Sequence, residues 1–321
     1  MISTNSFAFA LDGKGCGRAI DWHEAARQAG DDFYWLHLDW KDALDSKWLT
    51  EQCGVSEDIS GAILEDNTRP RSVTINGETM VFLRGVNLNP GADPDDMISL
   101  RMLIDARRVI TVVRRPLKSI DDVRQAIQMG SGPRTAGDFL ECVIDALVER
   151  LIPVIDDLRE QMDRLEDAII DPKVADEELD LSDVRRQVIH LRRFVGPQRD
   201  ALLRLLHEKA PWFDDVNRAR LRETADRMTR LVEELESIRD RGHVLQEEVA
   251  VELTRQLNRK AYFLTGFAAI LVPLNLIAGI FGMNVAGIPG KETPWAFPFI
   301  VSCFVVVAVA LWYIGWRKKW F

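Results

Sequence analysis

The residues best suited to chemistry lie in the last third of the chain. Gly282, Met283 and Asn284 stand between two long uncharged segments, where backbone carbonyl groups and one amide side chain are the available ligands. Upstream, His243 and Glu247 are four residues apart. That spacing places them one turn apart on a helix, where both can contact one metal ion. An ordinary surface ion pair is the alternative interpretation.

A single helix from about Val216 to Phe281 is predicted to position both groups, because its only proline is Pro273. At 100° per residue, a polar stripe lies within about 40° of Asn258 and consists of Asp240, Glu247, Thr254, Asn258 and Thr265. Asn275 lies further round the helix. The opposite side is apolar and is predicted to pack on a preceding helical hairpin through Leu231, Leu235, Ile238, Leu245, Val249 and Leu253.

Two segments near the C-terminus are long enough to cross a bilayer. Residues 261–290 and 294–316 contain no charged side chain, and a membrane-spanning helix needs about 20 apolar residues. Basic residues precede the first segment and follow the second, while the tip carries only Lys291 with Glu292. The positive-inside rule therefore predicts a hairpin with both termini in the cytoplasm.

The polar stripe has two interpretations. In the first, Asp240, Glu247 and Thr254 simply face water on the surface of one subunit. Thr265 and Asn275, however, lie at hydrocarbon depth, where polar side chains face partner helices or a water-filled path. We therefore favour symmetric copies around a channel, with carboxylate rings at Asp240 and Glu247. A single hairpin cannot enclose a pore, so several copies must contribute.

The composition argues against several other classes of function. The net charge is −9, and no basic stripe with interleaved aromatic residues is present, so nucleic-acid binding is not expected. The four cysteines are scattered without a CxxC pair, which predicts neither a disulfide framework nor a structural zinc site. The N-terminus lacks the features of a signal peptide. No motif pairs a nucleophile with a base, so we predict that the chain is not an enzyme.

The part of the chain that precedes this long helix is predicted to be mixed α/β and then helical. Strands are predicted at SFAFAL, FYWLHLDW, SVTING, MVFLRGVNL and MISLRMLIDARRVITVVRR, and Asn76–Gly77 suits a hairpin turn. Helices are predicted at residues 41–51 and 118–129. Apolar residues then repeat every three to four positions over 140–169, where Asp171–Pro172 ends a long helix, and a second helix follows over 181–207. Pro153 and Pro197 are predicted to bend these two helices.

These patterns predict an α/β cytoplasmic domain, a long helical stalk and a two-helix transmembrane hairpin. The cytoplasmic parts are the α/β domain (1–135), an antiparallel helical hairpin (136–210) and the stalk helix (211–260). The membrane parts are a pore-lining transmembrane helix (261–283), an external loop (284–294) and a second transmembrane helix (295–316). A basic cytoplasmic tail (317–321) ends the chain.

The end of the first transmembrane segment carries a family resemblance. The sequence PLNLIAGIFGMN, followed by a short second segment and the basic end WRKKWF, resembles the CorA superfamily of divalent metal ion transporters. The loop NVAGIPG and the phrases WLHLDW, LRGVNLNP and SLRMLIDARRVITVVRR are similar to its ZntB-like branch, associated with zinc. Phe281 and Met283 resemble the magnesium branch as much as the zinc branch.

The resemblance implies a funnel-shaped homopentamer whose pore is lined by the stalk and the first transmembrane helix. It assigns Gly282, Met283 and Asn284 to an external selectivity filter. The transported ion is implied to be Zn²⁺ or another divalent cation, with no further cofactor and with lipid and other copies of the chain as partners. Because neither membrane segment contains a histidine, and only Cys303 supplies a thiol, we expect the ion to cross hydrated.

The leading hypothesis is zinc transport, and coupling to proton uptake stays open. The membrane segments contain no carboxylate or histidine for a proton relay, so Asp240, His243 and Glu247 are the candidates if protons are coupled. Within the same class, the alternative is a CorA-type channel for magnesium, cobalt or nickel. In another class, the alternative is a membrane-tethered sensor or scaffold, whose activity would not depend on Asn284.

Overall fold

A computed structural model describes residues 6–21, 25, 33–39, 46–65, 69–75, 77–170, 180–208, 210–283 and 293–317. The chain divides into two compact units, Met1–Val244 and Leu245–Phe321. The first unit contains all the described strands and most of the helices, and one long helix continues across the division.

Seven strands of the first unit form one sheet in the order β2-β1-β3-β7-β6-β5-β4. Their bounds are β1 Phe7–Leu11, β2 Gly17–Ile20, β3 Tyr34–Asp39, β4 Arg71–Ile75, β5 Glu78–Gly85, β6 Ile98–Ile104 and β7 Arg108–Val113. The pair β3 and β7 is parallel, and the other neighbouring pairs are antiparallel. The central strands are buried along nearly their whole length, which is why their sequences are mainly apolar rather than alternating, with His37 and Asp39 of β3 as buried polar residues.

The turn between β4 and β5 follows the Asn-Gly signal. Ile75 pairs with Glu78, so two residues form the loop, and Gly77 has a φ of 86°. Glycine adopts this positive φ without the steric penalty of a side chain. Asn76 itself lies outside the described residues. The predicted hairpin is therefore confirmed by the pairing register and by Gly77.

The segment predicted as one long strand region is a second hairpin. Between β6 and β7, a carboxylate oxygen of Asp105 accepts hydrogen bonds from the backbone N–H groups of Arg107 at 2.8 Å and Arg108 at 3.0 Å. An aspartate that bonds the backbone two residues on stabilises a turn. Strand β2 was not predicted, because its four residues are only partly buried and carry no alternating pattern.

Seven helices are described: α1 Ser46–Cys53, α2 Glu57–Leu64, α3 Lys118–Gln128, α4 Ala136–Ile170, α5 Leu181–Leu205, α6 Asp215–Gly282 and α7 Ala296–Arg317. Helix α3 confirms the prediction at 118–129, whereas α2 was not predicted. Residues 41–45 and the predicted helix end at Asp171–Pro172 lie outside the described residues. Pro153 and Pro197 are inside α4 and α5, as predicted.

The helices pack on the sheet through a buried aromatic and polar core. Trp35 is fully buried, donates a hydrogen bond from Nε1 to Thr111 Oγ1 at 2.8 Å, and contacts the Phe139 ring edge-on with 4.9 Å between centroids. On another part of the sheet, Gln198 of α5 accepts a hydrogen bond from the backbone N–H of Arg84 at 2.6 Å. These contacts join the long helices α4 and α5 to the sheet.

Arginines on α6 join it to α4, which runs parallel to it. The three arginines are Arg220, Arg227 and Arg241, and we call them the arginine ladder. Arg220 pairs with Asp138, Arg227 with Asp145 and Glu149, and Arg241 with Asp163 and Glu166. The first two rungs are spaced by seven residues on both helices, the repeat expected for helices that pack side by side. The ladder therefore fixes the lengthwise register of α6 against α4.

The predicted packing face of α6 is only partly confirmed. Leu235, Ile238 and Leu245 are buried. Val249 and Leu253 were predicted on the same packed face, but they are 48% and 57% exposed. That part of the prediction is wrong. Apolar periodicity identifies the face of a helix that is buried in the functional assembly, but it does not identify which segment or chain packs against that face.

Candidate ion pathway

Helix α6 carries every residue predicted to line a pathway. It runs without interruption from Asp215 to Gly282 over 68 residues and contains Pro273, so the predicted single helix is confirmed. Within the described segments, only α6 is long and apolar enough to cross a membrane, and α7 contributes a shorter apolar stretch, Ala296–Ala310. The second predicted transmembrane helix and the hairpin stay predictions.

The two predicted carboxylates are both exposed, but they have different surroundings. Asp240 Oδ1 accepts a hydrogen bond from Arg239 Nη2 at 2.6 Å and from its Nε at 2.8 Å. Glu247 is exposed, and no hydrogen bond or ion pair to another described residue is found for it. Glu247 is therefore the carboxylate with its full charge available to a passing cation, whereas an arginine offsets the charge of Asp240.

The predicted metal pair of His243 and Glu247 gains no third ligand. Both residues are exposed on α6. In the part of the chain that the structure describes, no group of three or more His, Cys, Asp or Glu side chains is placed to hold a metal ion. Two exposed ligands one turn apart, neither of them fixed by burial, form at most an open, weakly binding site, which suits transient contact with a mobile ion.

The uncharged members of the polar stripe are also exposed, as is Asn275. Thr254 donates a hydrogen bond from Oγ1 to the backbone carbonyl of Ala250 at 2.8 Å. A hydroxyl that bonds its own helix in this way has its proton occupied and presents oxygen lone pairs outward. Thr254 therefore presents an acceptor, the polarity that hydrated cations prefer.

The helix ends at the predicted filter. Gly282 is the last helical residue, and the Met283 N–H donates to the Ile280 carbonyl at 3.4 Å. The last carbonyl groups of a helix lack intrahelical partners, and this end of the helix dipole is negative. The end of α6 therefore presents cation ligands from the backbone alone. Asn284, which would add its amide oxygen, lies outside the described residues.

The second unit also contains an apolar groove of about 590 Å³ between the end of α6 and the start of α7. Its lining includes Ile277, Phe281, Trp295, Phe299 and Phe304. Thr293 and Cys303 are the members of the lining with a hydroxyl or a thiol, so the groove offers an ion few ligands to replace its water and is poorly suited to conduction. The polar stripe, in contrast, consists of exposed polar side chains.

Sequence reasoning missed two charged contacts. Arg239 stands next to Asp240 in the sequence, and the adjacency was a usable signal for their pairing. His190 contacts Asp95 at 2.8 Å, although the two residues are 95 positions apart. No local pattern could indicate that second contact.

Comparison with known proteins agrees with this architecture. A family model described as CorA-like Mg2+ transporter protein matches residues 30–319. Divalent cation transporter CmaX of Pseudomonas aeruginosa is 36% identical over 320 residues, which cover 98% of this chain and 96% of that protein. Zinc transport protein ZntB of Pectobacterium atrosepticum is 33% identical over 314 residues, with 98% and 95% covered. A solved structure of full-length CmaX superposes with a TM-score of 0.83 at 35% identity, covering 99% of both chains.

An α/β domain that leads into one long helix with an uncharged, apolar end defines a membrane transport protein with the CorA fold. The chain belongs to the CorA-like Mg2+ transporter family. The predicted superfamily and the predicted class, a divalent cation transporter, are thereby confirmed. Membership of a transporter family also agrees with the prediction that the chain is not an enzyme.

Proposed function

We propose that this protein is a zinc-preferring divalent cation transporter of the bacterial inner membrane, acting as a homopentamer. The observation that carries the proposal is α6, a single helix that bears the exposed polar stripe and ends at Gly282, next to the predicted filter. In the pentamer, five copies of the stripe face a central path. The second unit then forms a transmembrane hairpin with both termini in the cytoplasm.

The pathway works by attraction and weak coordination. Carboxylate rings at Glu247, and to a smaller extent at Asp240, raise the local concentration of cations. Thr254, Asn258 and Thr265 offer oxygen atoms to the water shell of the ion, and Asn275, further along and further round the helix, adds an amide oxygen. At the far end, Gly282, Met283 and Asn284 form the filter. Weak, repeated contacts allow the ion to leave as readily as it enters.

The assembly is supported by the exposure of apolar side chains in one chain. Val249, Leu253, Leu257 and Phe267 are 48–58% exposed. A contiguous exposed apolar surface of this kind marks contact with another protein or with lipid. Other copies of the chain cover the stalk part of this surface, and lipid covers the outer surface of the membrane part.

Zinc is proposed as the ion because the relative named zinc transport protein ZntB matches over nearly the whole chain. A magnesium channel is the second candidate, favoured by the Gly-Met-Asn sequence at 282–284 and by the description of the matching family. The two candidates differ in chemistry, since Mg²⁺ sheds its water reluctantly and takes oxygen ligands, whereas Zn²⁺ also binds imidazole.

Metal flux into liposomes that contain the purified protein tests the proposal. Zn²⁺ and Mg²⁺ are supplied separately, each with and without an inward proton gradient. We expect Zn²⁺ uptake to exceed Mg²⁺ uptake. An increase with the gradient would indicate proton coupling, for which Asp240, His243 and Glu247 are the candidate residues. Mg²⁺ uptake that exceeds Zn²⁺ uptake and is indifferent to pH would overturn the zinc assignment and support the magnesium channel.

The assembly is tested by the mass of the detergent-solubilised particle. Five subunits are expected, and any other number would contradict the pentameric pathway. A sensor or scaffold would also show no metal flux in the same liposomes, which separates that hypothesis from a transporter of the wrong ion.

A further inference from the structure

An aspartate and a histidine join the sheet to the helical hairpin at a position away from α6. Asp95 lies in the connection between β5 and β6, and His190 lies on α5. The His190 Nδ1 atom is 2.8 Å from the Asp95 Oδ2 atom. The Asp95 side chain is only 5% exposed, whereas that of His190 is 52% exposed. One partner is therefore fixed in the protein, and the other has its ring open to solvent.

The carboxylate of Asp95 is incompletely satisfied. Its Oδ1 atom is buried and has no hydrogen-bond partner among the described residues. Leaving a buried polar atom without a partner is costly, more so when the group is charged. The burial therefore favours an occupant that supplies positive charge or a hydrogen-bond donor to this oxygen.

The neighbouring charged groups are already engaged. Asp96 accepts hydrogen bonds from Arg115, with the Nη1–Oδ2 distance at 2.5 Å. The guanidinium of Arg84 lies 4.1 Å from the centroid of the Phe194 ring, and that of Arg193 lies 5.5 Å from it. No third His, Cys, Asp or Glu joins the pair within the described residues. Any metal at this position therefore takes two protein ligands and completes its coordination with water.

We propose that Asp95 and His190 form a zinc-binding site on the soluble side of the protein, outside the conduction path. Zn²⁺ takes the place of the proton between Nδ1 and Oδ2. That proton passes to solvent from a protonated ring, or to Nε2 from a neutral ring, so the metal-bound imidazole is neutral and carries its proton on Nε2. Zinc bonds of about 2.0–2.2 Å at tetrahedral angles need the two atoms about 3.3 Å apart, so the half-exposed ring moves outward by about 0.5 Å. The positive charge of the ion then lies beside the carboxylate whose Oδ1 atom is buried without a hydrogen-bond partner among the described residues.

The ligand types select the metal. An imidazole nitrogen with a carboxylate suits Zn²⁺ and its neighbours Co²⁺ and Ni²⁺, whereas Mg²⁺ prefers oxygen ligands only. Because the pair bridges the β5–β6 connection and α5, a bound ion crosslinks the sheet to the helical hairpin. Binding at this site can be measured without any transport, so its outcome is independent of the proposed pathway.

The experiment uses the full-length protein in detergent, stripped of metal and titrated with Zn²⁺ by calorimetry, and with Co²⁺ by visible absorption. The variant His190→Gln keeps a donor for Asp95 but removes the imidazole, and Asp95→Asn keeps the shape but removes the charge. His207→Gln is the matched control, since His207 is also exposed and follows the same helix. Circular dichroism establishes that each variant is folded.

We expect His190→Gln and Asp95→Asn each to lose one zinc per chain and the Co²⁺ absorption of a nitrogen-ligated site. The control should keep both, and a tenfold excess of Mg²⁺ should not compete. The same zinc stoichiometry and Co²⁺ spectrum in His190→Gln as in the unmodified protein would overturn the proposal. An equal loss in His207→Gln would overturn it as well, because it would show nonspecific binding to surface histidines.

Discussion

The last rung of the arginine ladder makes a prediction that the structure allows to be quantified. Arg241 Nε is 2.8 Å from Glu166 Oε1, its Nη2 is 2.7 Å from Glu166 Oε2, and Nη2 is 2.5 Å from Asp163 Oδ1. The side chain is 30% exposed. The hydrogen bonds that Arg241 donates to Glu166, and then to Asp163, raise the pKa of Arg241, so the fold stabilises its charged form.

We expect Arg241→Gln to lower the free energy of unfolding by about 1–2 kcal/mol. Charge-assisted hydrogen bonds contribute about 1.5–3 kcal/mol, and exposed ion pairs at most about 1 kcal/mol, so partial exposure places this network between the two. At about 2–4 °C per kcal/mol for a domain of this size, the melting temperature should fall by about 2–8 °C.

The assay is thermal unfolding of the detergent-solubilised protein at a fixed scan rate, followed by circular dichroism. Arg239→Gln is the matched control, because Arg239 also forms an ion pair but with its neighbour Asp240 on the same helix. It should change the free energy of unfolding by less than about 0.5 kcal/mol. In a Glu166→Gln background, Arg241→Gln should lower the free energy of unfolding by less than it does in the unmodified protein. Equal melting temperatures for the two arginine variants, or equal costs in both backgrounds, would refute the reasoning.

Three further predictions follow from burial and charge. Leu235→Ala should lower the free energy of unfolding by about 3 kcal/mol because the leucine is fully buried. Leu203 of α5 is 40% exposed, so Leu203→Ala should lower it by less than about 1 kcal/mol. Similar losses for the two variants in urea titrations would contradict the packing. Burial lowers the pKa of His37 from 6.5 to about 3, so below pH 6.5 the unfolded state binds a proton at this residue that the folded state does not. The free energy of unfolding should therefore be about 2 kcal/mol lower at pH 5 than above pH 6.5. A His37→Gln variant should show a smaller loss of melting temperature between pH 7 and pH 5, and an equal loss would oppose this assignment. Glu247→Gln should reduce zinc flux severalfold at low ionic strength and less in high salt. Glu252→Gln, about 140° away on the helix, should leave the flux unchanged. Equal effects of the two substitutions would remove Glu247 from the pathway.

Local signals in the sequence were sufficient for several elements. The Asn-Gly pair predicted the β4–β5 hairpin because a two-residue turn requires positive φ angles, and Gly77 adopts one. The length of α6 followed from a segment with one proline and a consistent apolar face. For the candidate pathway, the exposure of Asp240 and Glu247 follows from the same periodicity, since both stand opposite the buried Leu235 and Ile238.

The other features depend on contacts that local patterns do not encode. Strand β2 is short and half exposed, so it lacks an apolar alternation. The exposure of Val249 and Leu253 depends on which chain covers them, and periodicity cannot identify that chain. The contact of Asp95 with His190 joins residues 95 positions apart and arises only from the packing of α5 on the sheet.

The most direct test of the central claim is the accessibility of α6 from water. Two single-cysteine variants are compared after the four native cysteines are replaced: Thr265→Cys on the polar stripe, and Phe267→Cys about 160° away and about 3 Å deeper. Zinc flux into liposomes is measured before and after treatment with a charged, water-soluble thiol reagent. We predict that the reagent abolishes most of the flux through Thr265→Cys and leaves that through Phe267→Cys unchanged. Equal inhibition of both variants, or of neither, would contradict a pathway along the polar stripe.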